Sequence, residues 1–168
     1  MPAKGIHHVD LAVSDVNGSL AFYLDLLGPL GWSEWVRYPT YRLTEEVIYL
    51  WEPTTGANLG LRPADGGAHR YYDVGVEHIA FPVDTPEEVD AAYERCLARA
   101  ADVHCAPEAD RDIEGYYALF VFDPDGIRIE VFCWPGADEL AKLAARRDEG
   151  ELSDADFEAE KARILGLG

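Results

Sequence analysis

Two segments of the chain alternate between apolar and polar or small residues, and they lie seventy positions apart. The first is GIHHVDLAVSD, residues 5–15, and the second is VEHIAFPVDT, residues 76–85. A period of two predicts β-strands whose successive side chains point to opposite faces. The same offset matches further pairs: His8 with His78, Tyr23 with Tyr93, and Leu27 with Leu97. A constant offset of this kind indicates that one structural unit occurs twice.

Each copy is predicted to run strand, helix and three strands. Asp15 is placed to cap a helix that stops at Gly28, and the sequence TPEE at residues 85–88 opens a second helix that reaches about residue 101. Short alternating runs predict the later strands: residues 32–38, 46–51 and 58–61, then 103–105, 116–122 and 127–134. The predicted fold class is therefore α+β, with two β-α-β-β-β modules that form a cupped mixed sheet.

The pattern changes after residue 135. Residues 138–147 carry apolar positions at helical spacing, and Ser153 followed three positions later by Asp156 is typical of the start of another helix. A hairpin of two such helices is too small to bury a core of its own. The predicted boundaries are a first domain at residues 1–135, its repeats at 5–63 and 75–134, and a helical hairpin at 136–168.

Strand alternation places two histidines and a glutamate on the less apolar faces of their strands. His8 shares its face with Asp10, and His78 occupies the matching position of the second copy. Glu130 follows the DPDG turn and lies opposite the apolar face of the last strand. Two histidines and one carboxylate can occupy one face of an octahedral metal ion and leave positions open for substrate. We therefore predict His8, His78 and Glu130 as metal ligands, whereas His7 is interpreted as structural.

Composition argues against several classes of partner. The chain has 168 residues, with 32 acidic against 14 basic residues and a formal net charge of -18. Because nucleic-acid binding requires Lys and Arg to neutralise phosphates, we expect neither a nucleic acid nor an anionic membrane as partner. No apolar run approaches the roughly 20 residues that span a bilayer, and no secretory signal pattern is present. The three cysteines lack paired spacing, so we expect a cytoplasmic protein without disulfides.

The paired modules resemble the vicinal oxygen chelate superfamily, which includes glyoxalase I, bleomycin-binding proteins and extradiol dioxygenases. The resemblance covers residues 5–134 and rests on IHHVDLAVSD, FYLDLLG, VEHIAF and YYALFVFDPDGIRIEVF. It implies a cupped sheet around a divalent ion (Fe, Zn, Mn or Ni) held by His8, His78 and Glu130. The tail, LAKLAARRDEGELSDADFEAEKARILG, resembles a short C-terminal (SHOCT) domain. We also expect a homodimer.

Two departures from that superfamily bear on the function. Glyoxalase I and the related epimerases use a fourth protein ligand at the position that matches Gly60 here, and glycine has no side chain to offer. Extradiol dioxygenases carry a Tyr where Phe120 stands. These departures argue against a glyoxalase or epimerase mechanism and against extradiol cleavage. The two histidines and the glutamate still favour a metal-dependent enzyme, which we expect to bind a small oxygenated metabolite by bidentate chelation. Tyr117 and Phe132 are the candidate substrate contacts, and no catalytic residue or reaction is assigned. The alternative is a metal-free protein that binds a drug or metabolite.

Overall fold

The computed structural model describes residues 6–39, 46–72 and 74–167. The chain divides into two compact units. The first runs to His78 and also includes Ala98–Asp102 and Phe122–Arg128, while the second comprises Ile79–Leu97, Val103–Val121 and the residues from Ile129 onward. The turn that precedes the last strand therefore belongs to the first unit.

The order of helices and strands follows the predicted plan. The elements are β1 (His8–Val13), α1 (Val16–Leu27), a 3-10 turn (Gly28–Leu30), β2 (Ser33–Pro39), β3 (Glu46–Trp51), β4 (Asn58–Pro63), β5 (Ile79–Pro82), α2 (Pro86–Ala98), β6 (Asp102–Ala109), β7 (Tyr117–Phe122), β8 (Arg128–Cys133), α3 (Pro135–Asp148) and α4 (Asp154–Ile164). Two β-α-β-β-β modules and two C-terminal helices confirm the predicted α+β class.

Each module forms a four-stranded mixed sheet with the same internal order. The strand order is β1-β4-β3-β2 in the first sheet and β5-β8-β7-β6 in the second. Strand β1 pairs in parallel with β4, with Val9 opposite Leu59. Strand β5 pairs in parallel with β8, with Ile79 opposite Ile129. Both partners are displaced by the same seventy positions, so the sequence repeat is preserved in the pairing of the strands.

Helix α1 begins where the sequence predicts. The side chain of Asp15 accepts a hydrogen bond from the backbone N–H of Asn17 at 3.1 Å, which satisfies one of the free donors at the helix start. The α-helix ends at Leu27, but Gly28 keeps a helical φ of -54° and begins the 3-10 turn. The left-handed residue that ends this turn is Gly31, with φ of +94°.

Helix α2 opens with the predicted capping box. Thr85 Oγ1 accepts from the N–H of Glu88 at 3.3 Å, and the Glu88 carboxylate accepts from the N–H of Thr85 at 3.1 Å. The helix ends at Ala98, earlier than predicted, and Ala100 adopts a left-handed φ of +52° that a helix cannot continue. Strand β6 is correspondingly longer than predicted and reaches Ala109.

Pro82 is compatible with its strand because of its position. Strand β5 is at the edge of its sheet, and Pro82 is its last residue. A proline at an edge removes no hydrogen bond that the sheet needs. The next residue resumes the pairing, since the N–H of Val83 donates to the carbonyl of Phe132 at 2.8 Å.

Each unit has its own apolar core. In the first, α1 packs on the sheet, and the buried side chains include Val13, Tyr23, Leu26, Leu27, Ile48, Leu50, Leu59 and Leu61. In the second, the buried side chains include Val89, Ala92, Leu119, Val121, Ile129 and Val131. Burying a side chain of this size stabilises the fold by about 1.5–3 kcal/mol. All three cysteines are free thiols in this structure.

The C-terminal helices form a hairpin. Ser153 Oγ accepts from the N–H of Asp156 at 3.1 Å, which is the predicted cap of α4. Phe157 of α4 is buried, and the guanidinium of Arg147 on α3 lies 4.5 Å from the centre of its ring. In the described part of the chain, none of the helices combines the length and the apolar character needed to cross a membrane.

A buried hydrogen bond connects α1 with the turn before β8, within the first unit. The Tyr23 hydroxyl donates to Asp123 Oδ2 at 2.8 Å. Asp123 Oδ1 accepts from the N–H groups of Asp125 and Ile127 at 2.9 and 2.8 Å. Burial raises the pKa of both Tyr23 and Asp123, so the tyrosine stays a donor at neutral pH.

Replacing Tyr23 with Phe should lower the free energy of unfolding by about 1–3 kcal/mol, because the buried Asp123 carboxylate loses a donor that water cannot replace. Urea unfolding followed by far-ultraviolet circular dichroism measures this loss.

The matched control is Tyr117→Phe. Its hydroxyl donates to Asp90 at the same 2.8 Å, but this pair is exposed to solvent. The control should change stability by less than about 0.5 kcal/mol. Similar losses in the two variants would show that burial does not set the strength of the Tyr23 bond.

Candidate functional site

A pocket of about 420 Å³ lies beside His8 in the first unit. Its lining includes His7, His8, Trp35, Tyr38, Tyr49 and Arg62. The volume falls in the range of roughly 300–1,000 Å³ that is typical of small-molecule sites. The described lining of this pocket therefore combines a predicted metal ligand with aromatic walls and a cationic side chain, Arg62.

His8 lies at the start of β1, and one of its ring nitrogens is already engaged. Its Nδ1 is 3.1 Å from Nδ1 of His7, so one imidazole donates and the other accepts. The His8 ring is also edge-on to the ring of Tyr49, with 6.4 Å between the two centres. Since Nδ1 is engaged, a metal bond from His8 has to use Nε2.

Gly60 lies directly opposite Asp10 in the parallel pair of β1 and β4. A Cβ atom on residue 60 would overlap Asp10 Oδ1 and would lie 2.8 Å from Tyr49 Cε1. The position that carries the fourth ligand in glyoxalase I is thus a glycine here, and the Asp10 carboxylate fills the space of its missing side chain.

Asp10, Tyr49 and Arg62 form a closed cluster around this glycine. Arg62 Nε donates to Asp10 Oδ2, and the Tyr49 hydroxyl donates to the same oxygen at 3.2 Å. Arg62 Nη2 in turn donates to the Tyr49 oxygen at 3.1 Å. The bond to Asp10 raises the pKa of Arg62, so the guanidinium remains charged. Among the described residues, the buried Oδ1 of Asp10 has no hydrogen-bond partner.

Nδ1 of His78 contacts the Glu77 carboxylate, as Nδ1 of His8 contacts the His7 ring. His78 Nδ1 donates to Glu77 Oε2, and Arg128 Nη1 donates to Glu77 Oε1 at 2.7 Å. The Arg128 guanidinium also lies 5.2 Å from the centre of the Tyr71 ring. The hydrogen bond with His78, with further bonds from Arg128 and Tyr71, lowers the pKa of Glu77 to about 2. Glu77 is therefore an anion that orients the His78 ring.

Glu130 lies in the second unit and is only 3% exposed. The Tyr116 hydroxyl donates to Glu130 Oε1 at 2.6 Å. Burial, followed by this hydrogen bond, raises the pKa of Tyr116, which keeps the hydroxyl protonated. The Tyr116 ring stacks on Phe132 at 5.1 Å between ring centres. A buried carboxylate with a fixed tyrosine donor is therefore present on β8.

The tyrosine that contacts Glu130 is Tyr116, which the sequence reasoning did not select. The hydroxyl of Tyr117, the selected residue, donates to Asp90 on α2. Tyr116 precedes the first residue of β7, so strand alternation does not apply to its side chain. Phe132, the other selected residue, does lie beside Glu130 through its stack with Tyr116. A role of Tyr117 or Phe132 in substrate binding stays a prediction.

The three predicted metal ligands are distributed over both units, with two histidines in the first and Glu130 in the second. In the parts of the chain that the structure describes, neither unit by itself groups three His, Cys, Asp or Glu side chains that could hold a metal ion. The chemistry of the donor set nevertheless fits a divalent ion, because two imidazoles and a carboxylate are common ligands of such ions. Each of the three donors also has a partner that orients it. Their joint coordination of one ion stays a prediction.

Comparison with protein families assigns the chain. Residues 5–131 match the family described as Glyoxalase/Bleomycin resistance protein/Dioxygenase superfamily, and residues 138–165 match the Short C-terminal domain, SHOCT. The chain therefore belongs to the Glyoxalase/Bleomycin resistance protein/Dioxygenase superfamily and carries a SHOCT domain.

Individual relatives agree with this assignment. The uncharacterized protein YqjT of Bacillus subtilis (strain 168) is 31% identical over 137 residues, which cover 75% of this chain and 96% of YqjT. A glyoxylase/bleomycin resistance protein/dioxygenase domain from Frankia sp. EAN1pec has a similar structure, with 25% identity and a TM-score of 0.65 over 78% of this chain and 98% of that domain.

The fosfomycin resistance protein FosX from Listeria monocytogenes shares the fold. It is 22% identical, with a TM-score of 0.60 over 79% of this chain and 94% of FosX. A FosX mutant complexed with Mn(II) and 1S,2S-dihydroxypropylphosphonic acid is 21% identical, with a TM-score of 0.59 over 77% of this chain and 91% of that protein. At this identity the likeness concerns the fold alone.

Replacing Gly60 with Ala should destabilise the fold by about 1–3 kcal/mol, because the added Cβ overlaps the Asp10 carboxylate. In an Asp10→Ala background the same change should cost at least about 1 kcal/mol less, since the overlapping group is gone. A double-mutant cycle of urea unfolding energies measures the difference.

Gly28→Ala is the control for the added methyl group. Gly28 has a helical φ, and a Cβ there would meet nothing within 4 Å. Its replacement should leave stability unchanged or raise it by up to about 1 kcal/mol. If the losses in unfolding free energy from Gly60→Ala and Asp10→Ala simply add in the double variant, the predicted overlap of the new Cβ with Asp10 is wrong.

Proposed function

We propose that this protein is a divalent-metal-dependent enzyme that acts on a small oxygenated metabolite, with His8, His78 and Glu130 as the metal ligands. The observation that carries the proposal is that each of these side chains has its own orienting partner. Orienting partners of this kind are the usual companions of metal-bound histidines and carboxylates. Membership of the superfamily supports the same conclusion.

The two histidines are oriented by equivalent residues of the repeat. His7 and Glu77 occupy matching positions in the two copies, and each contacts Nδ1 of the histidine that follows it. With Nδ1 engaged, a metal bond from either ring would have to use Nε2. The duplicated unit therefore supplies the same orienting contact twice, with an imidazole in one copy and a carboxylate in the other.

Tyr116 orients the carboxylate ligand. Its hydroxyl remains protonated because burial and the hydrogen bond to Glu130 raise its pKa, so it donates to one oxygen of the Glu130 carboxylate and fixes the orientation of that carboxylate. A divalent ion bound here would act as a Lewis acid toward adjacent oxygens of the substrate. The pocket beside His8 would hold the rest of the substrate and shield it from water.

The site does not offer the side chain that glyoxalase and epimerase chemistry would take from position 60. Gly60 provides neither a ligand nor a base, and the Asp10 carboxylate beside it is paired with Arg62. We therefore propose metal-assisted chemistry on a substrate with chelating oxygens, and we do not assign glyoxalase or epimerase activity.

A metal-free binding protein is the second candidate. The observation that favours it is the aromatic lining of the pocket, since Trp35, Tyr38 and Tyr49 could hold an apolar drug or metabolite without a metal. The proposed enzyme accounts in addition for the oriented histidines, which a purely aromatic pocket does not require. The homodimer, the cytoplasmic location and the domain boundaries stay predictions.

Metal content tests the proposal directly. Protein purified without added metal should contain tightly bound divalent ion, which inductively coupled plasma mass spectrometry measures. His8→Ala, His78→Ala and Glu130→Gln should each lose it, because two remaining donors hold a divalent ion only weakly. His69→Ala, which removes an imidazole from another part of the chain, is the control and should retain the ion. Wild-type protein without bound metal, even after incubation with Mn(II) or Zn(II), would favour the metal-free alternative.

Loss of the Glu77 carboxylate should weaken metal binding by about 10–100-fold, since His78 would no longer be held with Nε2 free of its proton. Competition with a fluorescent chelator gives the affinity of Glu77→Ala, and ¹⁵N chemical shifts of the imidazole report the tautomer of His78. Glu34→Ala is the matched control, because it removes an exposed glutamate that also pairs with an arginine, Arg37. An unchanged tautomer and affinity in Glu77→Ala would show that Glu77 has no orienting role.

A further inference from the structure

One edge of the Arg62 guanidinium has no acceptor among the residues that the structure describes. Arg62 uses Nε for Asp10 and one N–H of Nη2 for Tyr49. A guanidinium has five N–H donors, so those of Nη1 and the second of Nη2 remain, and no described residue accepts from them. The side chain is 44% exposed and lines the pocket beside His8. Two neighbouring nitrogens with parallel N–H groups are the geometry that a carboxylate accepts in bidentate fashion.

The inner edge of the guanidinium is held in place. Asp10 is packed against Gly60, so its carboxylate cannot swing toward that strand. Tyr49 contacts both Asp10 and Arg62, which restricts rotation of the arginine around its last bonds. A binding group that is ordered before the ligand arrives loses little entropy on binding. The absence of a side chain at position 60 thus makes room for the residue that orients Arg62.

The walls around Arg62 are aromatic and partly exposed. Trp35 is 55% exposed and Tyr38 is 50% exposed. Trp35 lies at a bulge, since the pairing of β2 with β3 shifts between Glu34 and Val36, and bulges commonly re-aim a side chain. Large aromatic side chains that remain exposed in a pocket provide flat apolar contact area for a ligand.

We propose that this pocket binds a small carboxylic acid with a flat apolar body, whose carboxylate takes the Nη1–Nη2 edge of Arg62 while the body lies against Trp35 and Tyr38. This inference names the substrate class of the enzyme proposed above, and calling the bound acid a substrate rests on that proposed function. The binding itself depends only on residues of the first unit.

Charge favours a singly charged acid over a polyanion. The chain has a net charge of -18, so no long-range field attracts anions. Arg62 is the one Lys or Arg among the described lining residues, and it is already paired with Asp10. The charge of Arg62 is already partly neutralised by Asp10, so its remaining edge suits the single charge of one carboxylate. A phosphate or phosphonate dianion would bring more negative charge than the pocket can balance.

Binding to metal-free protein tests the proposal separately from the proposed function. The protein is dialysed against a chelator and titrated by nuclear magnetic resonance with phenylacetate, with neutral phenylacetamide and with phenylphosphonate. Phenylacetate should bind saturably and at least about tenfold more tightly than phenylacetamide, because only the acid forms a charge-assisted pair with Arg62. Phenylphosphonate should bind more weakly than phenylacetate.

Three variants locate the binding. Arg62→Gln should weaken phenylacetate binding by about 10–100-fold and leave phenylacetamide nearly unchanged. Trp35→Ala removes an exposed wall, so it should weaken both ligands by a similar factor. Arg37→Gln is the matched control, because Arg37 is a surface arginine of β2 that pairs with Glu34, and it should bind like the wild type.

Equal binding of acid and amide, unchanged binding in Arg62→Gln, or no saturable binding of phenylacetate would each overturn the proposal. Tighter binding of phenylphosphonate would overturn the assignment to carboxylic acids. If phenylacetate binds as expected but the metal-content experiment fails, the proposed enzyme falls and the carboxylate site stands. The reverse outcome leaves the metal site and removes the substrate class.

Discussion

The parallel pairing of the first and last strands in each module is the constraint on which the rest of this structure depends. Strand β1 pairs with β4 and β5 with β8, and the partners keep one offset throughout. Parallel strands cannot be joined by a short turn, so the helix and two strands of each module lie in the connection between them. Residues fifty positions apart, such as Asp10 and Gly60, are thereby brought side by side.

At one pair of opposite residues, the two modules carry their acidic side chain on different strands. In the first module Asp10 lies opposite Gly60, and in the second Ala80 lies opposite Glu130. In the first module this pair has room for only one side chain, because a Cβ on residue 60 would already overlap Asp10. The first module therefore carries its acid on the opening strand, where it orients Arg62. The second carries it on the closing strand, where Tyr116 holds it. The same scaffold thus supports a paired cation in one half and a proposed metal ligand in the other.

Local physical rules were enough to predict the elements and their faces. The caps at Asp15, Thr85 and Ser153 depend on contacts within three residues, and all three form as expected. The buried positions Leu11 and Val13 follow from strand alternation. The contact of Tyr116 with Glu130 was not predicted, because Tyr116 lies just before β7 and strand alternation does not place its side chain. The cluster of Asp10, Tyr49 and Arg62 escaped because its members come from three strands, β1, β3 and β4, that meet only through the order of the sheet.

The sequence by itself determined that the chain is a doubled β-α-β-β-β unit with a helical tail, because repeats, caps and alternation act over short stretches of chain. Only the tertiary structure decided what surrounds each candidate ligand. Glu77 meets His78 as its neighbour in the chain, but Arg128, which donates to Glu77, lies 51 residues away. Side chains that contact one another across strands have no pattern along the sequence, since their meeting depends on strand order and on the space that a glycine or alanine leaves.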